Sequence, residues 1–248
     1  MRSRAVRRAV AVAALLALWE SASRVGWLNP FYLPPPSTVA AVLWSLLATG
    51  DLWPHASATL TAALAGLIGG VVLGSVLGFS AALMPFVADV LEPVMILLNA
   101  IPRVVLAPLF VIWLGIDLPS KVALSLALVT VLVFFAVHGG IREVDRRLVE
   151  RVQTLGGGRR VLIREVYIPS IASWVLGTLK VAVGFAFTGA VVGEFVASSR
   201  GLGYLLQFAQ STYNAGLTLA LITVIMLCTM LLFVAAERLE RHVLKWRR

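Results

Sequence analysis

The sequence predicts an all-α polytopic membrane protein: one transmembrane domain over residues 1–248, crossing the bilayer as six helices. Three observations lead there. The 248 residues are 60% hydrophobic and only 13% charged, about half the charge of a soluble domain. The apolar residues gather in runs long enough to cross a bilayer, which takes about 20 residues as a helix. And the basic residues stand in clusters between those runs, as membrane proteins mark their cytoplasmic side. That clustering sets aside nucleic acid as the partner for the net charge of +9, because nucleic-acid binders concentrate basic residues on a polar and aromatic surface.

The first span is expected over residues 9–27, an uncleaved helix behind Arg2, Arg4, Arg7 and Arg8. The prolines of "NPFYLPPPSTV" then forbid a regular helix. Ser37 or Thr38 could cap a short interfacial helix over Val39–Leu47. The remaining spans are expected over 55–84, 93–114 (with Pro102 and Pro108 inside), 120–138, 169–197 and 217–236. Six spans put both termini on one side. Sixteen Lys and Arg residues fall on that side, in the two tails and in the 139–168 loop. Only Arg24, Lys121 and Arg200 fall on the other. The termini and that loop are therefore expected in the cytoplasm. In the second span Gly66, Gly70, Gly74 and Gly78 form a stripe at steps of four. It allows close approach of a helix of the same bundle, or of another subunit.

The 139–168 loop is unlike its surroundings. Ile141, Val144, Leu148, Val152 and Leu155 repeat at steps of three and four, opposite Arg146, Arg147, Glu150, Arg151 and Gln153. That is the pattern of an amphipathic helix. Three glycines, 156–158, end it. A second helical piece over 159–167 leads to Pro169 in the first turn of the fifth span. A solvated linker has no need of such an apolar stripe. The stripe asks for a partner surface.

Here the residues resemble a family. "LVERVQTLGGGRRVLIREVYIPSI" is similar to the EAA loop of permease subunits in binding-protein-dependent ABC importers, with Glu150, Gly156, Ile168 and Pro169 at the matching positions and Arg151 and Val152 where the two alanines stand. "LPPPSTVAAVLWSLLATGDLWPHASATL", "IPRVVLAPLFVIWLGID" and "VVGEFVASSRGLGYLL" resemble the nitrate, sulfonate, taurine and bicarbonate branch. The resemblance implies a type I ABC importer permease fold in a prokaryotic plasma (inner) membrane. It implies a homodimer, two ATPase subunits on the cytoplasmic side and an extracytoplasmic substrate-binding protein. Leu148, Glu150, Val152, Leu155, Gly156, Ile168 and Pro169 would form the ATPase-coupling loop. The solute would be small and anionic, of the sulfonate, taurine, nitrate or bicarbonate type, with a thiamine-precursor-type solute as the alternative.

No G-x-x-x-x-G-K-[ST] loop is present. The chain is therefore expected to be no enzyme and to hold no cofactor, with ATP and Mg in the partner ATPase. The single Cys and scattered His residues supply no metal cluster. A secondary transporter or channel is the competing class; it would carry inverted repeats with paired broken helices. Arg103, Lys180 and Glu194 are the ionisable residues expected within spans, where such groups face a pathway or a partner. They are the candidate pathway residues, with Glu194 in a gate; snorkelling or internal ion pairs are the alternative. Lys180 and Glu194 stand roughly 21 Å apart along one helix, so each needs another partner.

A reporter active only outside the membrane, fused after Arg248, is expected to stay silent. Strong activity there would overturn the six-span topology.

Overall fold

Apolar runs bounded by proline, glycine and charge fold into helices throughout. The computed structural model describes the backbone of residues 2–243, and the side chains of 6–102 and 104–242. The helices are α1 (Arg2–Arg24), α2 (Pro36–Thr49), α3 (Leu52–Leu83), α4 (Pro85–Ala100), α5 (Arg103–Leu114), α6 (Leu118–Arg142), α7 (Arg146–Thr154), α8 (Arg159–Leu162), α9 (Ile168–Val196), α10 (Leu202–Ser211) and α11 (Ala215–Val243), with a π turn, Ile163–Tyr167, joining α8 to α9. Arg2, Arg4, Lys245, Arg247 and Arg248 of the basic clusters carry side chains outside the described residues.

Among the described residues, α3, α6, α11 and the continuous stretch Arg159–Val196 are long and apolar enough to cross a membrane. The third expected span differs. It begins earlier, at Pro85, and is two helices meeting at 108°. Pro102 is the cause: it pushes Ile101 into extended backbone (φ −70°, ψ 127°), and α5 restarts behind it. The first expected span is helical as α1 but is not among those long and apolar enough to cross, since its uncharged stretch runs only from Ala9 to Trp19.

α6 is the centre. Leu124, Val129, Val133, Phe134 and Val137 on it are almost fully buried. The glycine stripe of α3 lies against it. A Cβ on Gly70 would stand 2.6 Å from Val129 Cβ, and one on Gly74 would stand 2.7 Å from the carbonyl oxygen of Thr130. The stripe thus serves packing within the bundle, the first of its two expected uses. α9 closes on the other side of α6 in the same way: a Cβ on Gly189 would come within 2.7 Å of Ser125 Cα, and Ser125 Oγ donates to the carbonyl of Ala186 at 2.6 Å. α4 is tied to α6 by Glu92, whose Oε1 lies 2.6 Å from His138 Nε2 and 3.5 Å from Arg142.

The expected Ser37 or Thr38 cap of α2 is absent. Pro36 occupies the first turn, and Glu20 of α1 supplies the acceptor instead. Its carboxylate takes the Ser37 backbone N–H at 3.0 Å and the Ser37 hydroxyl at 2.8 Å. α10, which the sequence reading did not resolve from the loop after the fifth span, ends in a Schellman turn. The Asn214 N–H reaches the Ala209 carbonyl and the Tyr213 N–H that of Gln210, with Tyr213 at φ 54° where glycine is usual.

Gly74→Ala is expected to cost about 1–3 kcal/mol by overpacking α3 against α6. Gly139→Ala, with nothing within 4 Å of its new Cβ, is expected to be neutral. Thermal unfolding of the detergent-solubilised protein separates the two.

Candidate functional site

The loop between α6 and α9 carries α7, a short helix whose residues the bundle leaves unburied. α6 runs on to Arg142, past its expected end at residue 138, so Ile141 is a buried residue of α6. Glu143–Asp145 then break the chain, and Val144 lies in that break. The expected five-residue stripe is therefore divided. Ile141 anchors the bundle, and only Leu148 and Val152 belong to the loop helix α7, with Leu155 as its C-cap. The break comes at Asp145, whose Oδ1 accepts the backbone N–H of Arg147 at 2.8 Å and caps α7.

The three glycines do different work. Gly156 has φ +80°. Its N–H donates to the Gln153 carbonyl at 2.9 Å, and the Gly157 N–H donates to that of Val152 at 2.8 Å. This is a Schellman motif with Gly156 in the left-handed position. Gly157 is constrained by space, since a Cβ there would stand 2.7 Å from the Val152 carbonyl oxygen. Gly158 has nothing within 4 Å and opens α8. The resemblance singled out Gly156, and the crowding that requires glycine at 157 is seen only in the fold.

Beyond α8 the π turn widens the helix just before Pro169: the Ile168 N–H reaches back five residues, to Ile163. Proline lacks an N–H and its ring crowds the carbonyl four residues earlier, and one wide turn relieves that crowding without ending the helix. Pro169 accordingly lies inside a continuous helix rather than at a fresh start. Leu162 and Val166 are buried and fasten this piece to the bundle.

α7 itself has no buried residue. Leu148 is half exposed and Leu155 is 82% exposed. Leu148, Val152 and Leu155 edge a groove of about 820 Å³ whose far wall includes Val166, Pro169 and Trp174. Ile168 is exposed beside it. Glu150 is also exposed. Short, stiff, capped at both ends and uncovered, α7 is built to meet another macromolecule.

Of the three charges expected at membrane depth, Lys180 and Glu194 are not brought together. Lys180 lies 3.7 Å from Glu237 and 3.5 Å from Glu240, both on the last turns of α11. It clamps α9 to α11, as the internal ion-pair alternative has it. Glu194 stands at the other end of α9, 2% exposed. Its Oε2 accepts the Thr59 hydroxyl at 2.8 Å and the Gly203 N–H at 2.9 Å. Arg103 opens α5, and its side chain lies outside the described residues. Lys121, counted among the charges on the outer side, is buried instead, its ammonium donating to the carbonyls of Ile116 and, at 2.9 Å, Asp117. Sequence reading also missed Thr59 and His55, two uncharged-looking positions in a long apolar helix.

A bundle with a broken span, a glycine-locked centre and an uncovered loop helix is that of a polytopic membrane protein, and its likeness to known proteins gives its class. Residues 70–245 match the family described as binding-protein-dependent transport system inner membrane component, and the chain belongs to that family. It is the transmembrane subunit of an ABC importer. It is 35% identical to the riboflavin transport system permease protein RibX of Chloroflexus aurantiacus over 94% of this chain and 87% of that one. It is 29% identical to the taurine transport system permease protein TauC of Escherichia coli, over 95% and 87%. Its fold matches a crystal structure of an amino acid ABC transporter with histidines, with a TM-score of 0.66 at 17% identity, over 81% of this chain and 98% of that one.

Gly156→Val places a side chain in the left-handed position at a cost of about 1–2 kcal/mol. It is expected to speed amide exchange at Gly156 and Gly157, the two N–H groups that close the turn. Gly157→Ala should do the same through crowding, and Gly158→Ala should leave exchange unchanged.

Proposed function

We propose that two copies of this chain form the pathway of an importer with cytoplasmic N- and C-termini, that α7 of each copy docks on one of two ATPase subunits, and that an extracytoplasmic binding protein delivers the solute. The observation that carries the reading is α7: a capped helix with Leu148 and Leu155 exposed and Glu150 on its polar side. A helix of this kind, fixed at both ends, transmits a partner's movement as a rigid body. ATP and Mg belong to the ATPase subunits, and this chain hydrolyses nothing itself. The rival class, a transporter working alone, leaves α7 without a use.

The solute is a small polar organic molecule. Of the two cations expected within the spans, Lys180 is otherwise engaged, with Glu237 and Glu240. The anionic reading now rests on Arg103 alone. The relatives name taurine in one case and riboflavin in another, so solute choice falls mainly to the binding protein.

The assembled complex in proteoliposomes is expected to import solute only with ATP, both partners and a ligand that calorimetry finds on the binding protein. Within it, Glu150→Ala and Gly156→Val are expected to insert normally and to lower solute-stimulated ATP hydrolysis about tenfold, the first by loss of one charge-assisted contact and the second by the strain of a side chain in the left-handed position. Uptake by the permease alone would overturn the reading.

A further inference from the structure

α10 is held at its start by side chains from two other helices. The first N–H groups of a helix have no partner of their own, and beside an apolar bundle water cannot be relied on to supply one. Leu202 N–H donates to Thr59 Oγ1 at 2.8 Å, and Gly203 N–H donates to Glu194 Oε2 at 2.9 Å. The Thr59 hydroxyl spends its own proton on the same Glu194 oxygen at 2.8 Å. One residue earlier, the Gly201 N–H donates to His55 Nδ1 at 3.1 Å, and the His55 ring stacks on Tyr204 of α10 with centroids 5.8 Å apart. The glycines flanking Leu202 make this fit possible. Gly201 has φ +125° and lies against the Glu194 carboxyl, and a Cβ on Gly203 would stand 2.8 Å from Glu194 Cβ.

This junction joins α3, α9 and α10 at one point, with a buried carboxylate at its centre. A carboxyl group buried in such a place costs free energy that a well-packed apolar side chain would not. Its return is geometric: three N–H or O–H groups converging on two side chains fix the direction of α10. The far end of α10 is fixed as well, by the Tyr213 turn and by Asn214, whose Oδ1 accepts the Leu217 N–H at 2.9 Å and starts α11. Held this way, α10 presents Gln207, Gln210 and Ser211 to a cleft of about 450 Å³ shared with Val104 of α5 and with Phe195 and Val196 of α9. Carboxamides are the strongest hydrogen-bonding groups on that wall.

We propose that Thr59 and Glu194 are positioning residues for transport: they hold α10 so that its carboxamide face forms one wall of the solute's path at the end of the bundle opposite α7. The proposal rests on the importer reading. Neither residue need touch solute. They act through α10, and their loss should alter coupling rather than assembly.

The test uses the assembled complex with both partner subunits. Thr59→Val keeps the side-chain volume and removes the hydroxyl that links Glu194 to Leu202. It is expected to lower the maximal rate of solute-stimulated ATP hydrolysis and of uptake about tenfold or more, the order expected for leaving buried hydrogen-bonding groups of Leu202 and Glu194 without their partner. Unstimulated hydrolysis and the yield of complex should stay at wild-type level, and Thr59→Ser should restore stimulation. Glu194→Gln, which keeps one acceptor oxygen, should fall between. Wild-type stimulation in both Thr59→Val and Glu194→Gln would overturn the proposal. So would a lowered yield of complex with normal stimulation per complex, which would make the junction structural only. Failure of the wild-type complex itself to import would strike the importer reading and is separate from either outcome.

Discussion

The structure depends on how closely the backbone of α3 approaches that of α6. Apolar side chains gain little by meeting one another when lipid offers the same contact, so helices in a bilayer hold together through close packing of small residues. Gly66, Gly70, Gly74 and Gly78 remove the side chains that would keep α3 away. α6 meets the thin face of α3 on one side and Gly189 of α9 on the other. Once these three helices are locked, the broken pair α4 and α5, the short α10 and the last helix α11 pack around them.

Carboxylates in the apolar stretches are used as substitutes for water. Glu20 accepts the first free N–H of α2, and Glu194 accepts one from α10. Each takes a place that a Ser or Asp at the helix's own start would normally fill. In both cases the acceptor comes from a different helix, so the cap also fastens one element to another. Lys121 does the converse with carbonyls before α6. Ionisable residues at membrane depth thus serve the backbone in this protein, and Lys180 serves a helix pair.

Much of this was legible in the residues. Four of the spans followed from hydropathy, the glycine stripe from its spacing, and the Gly156 turn from the end of the α7 pattern. What escaped has a common cause. The junction at α10 is built from Thr59, His55, Glu194, Gly201 and Gly203, which are up to 148 positions apart in sequence and share no period. Nothing in a linear pattern marks a threonine that caps a helix formed more than a hundred residues later. The split of the loop stripe escaped for a different reason. Ile141 has the right spacing for α7, yet Asp145 caps a new helix and leaves Ile141 on α6. Periodicity counts residues, and it cannot see a three-residue break that preserves the count.

The shortness of that break, Glu143–Asp145, has a mechanical consequence. α6 has 25 residues, so it is about 37 Å long. Gripped along its length by α3 and α9, it has little freedom to bend. On the proposed docking of α7, a push on that helix would arrive at the base of a stiff rod through a joint of only three residues. Turning such a rod by about 10° carries its far tip through about 6 Å, comparable to one helical turn. The far tip is the Asp117–Lys121 corner, which shares a small cavity with Glu194 and Arg200. A lever of this length would convert a modest displacement at one end of the bundle into the width of a small solute at the other.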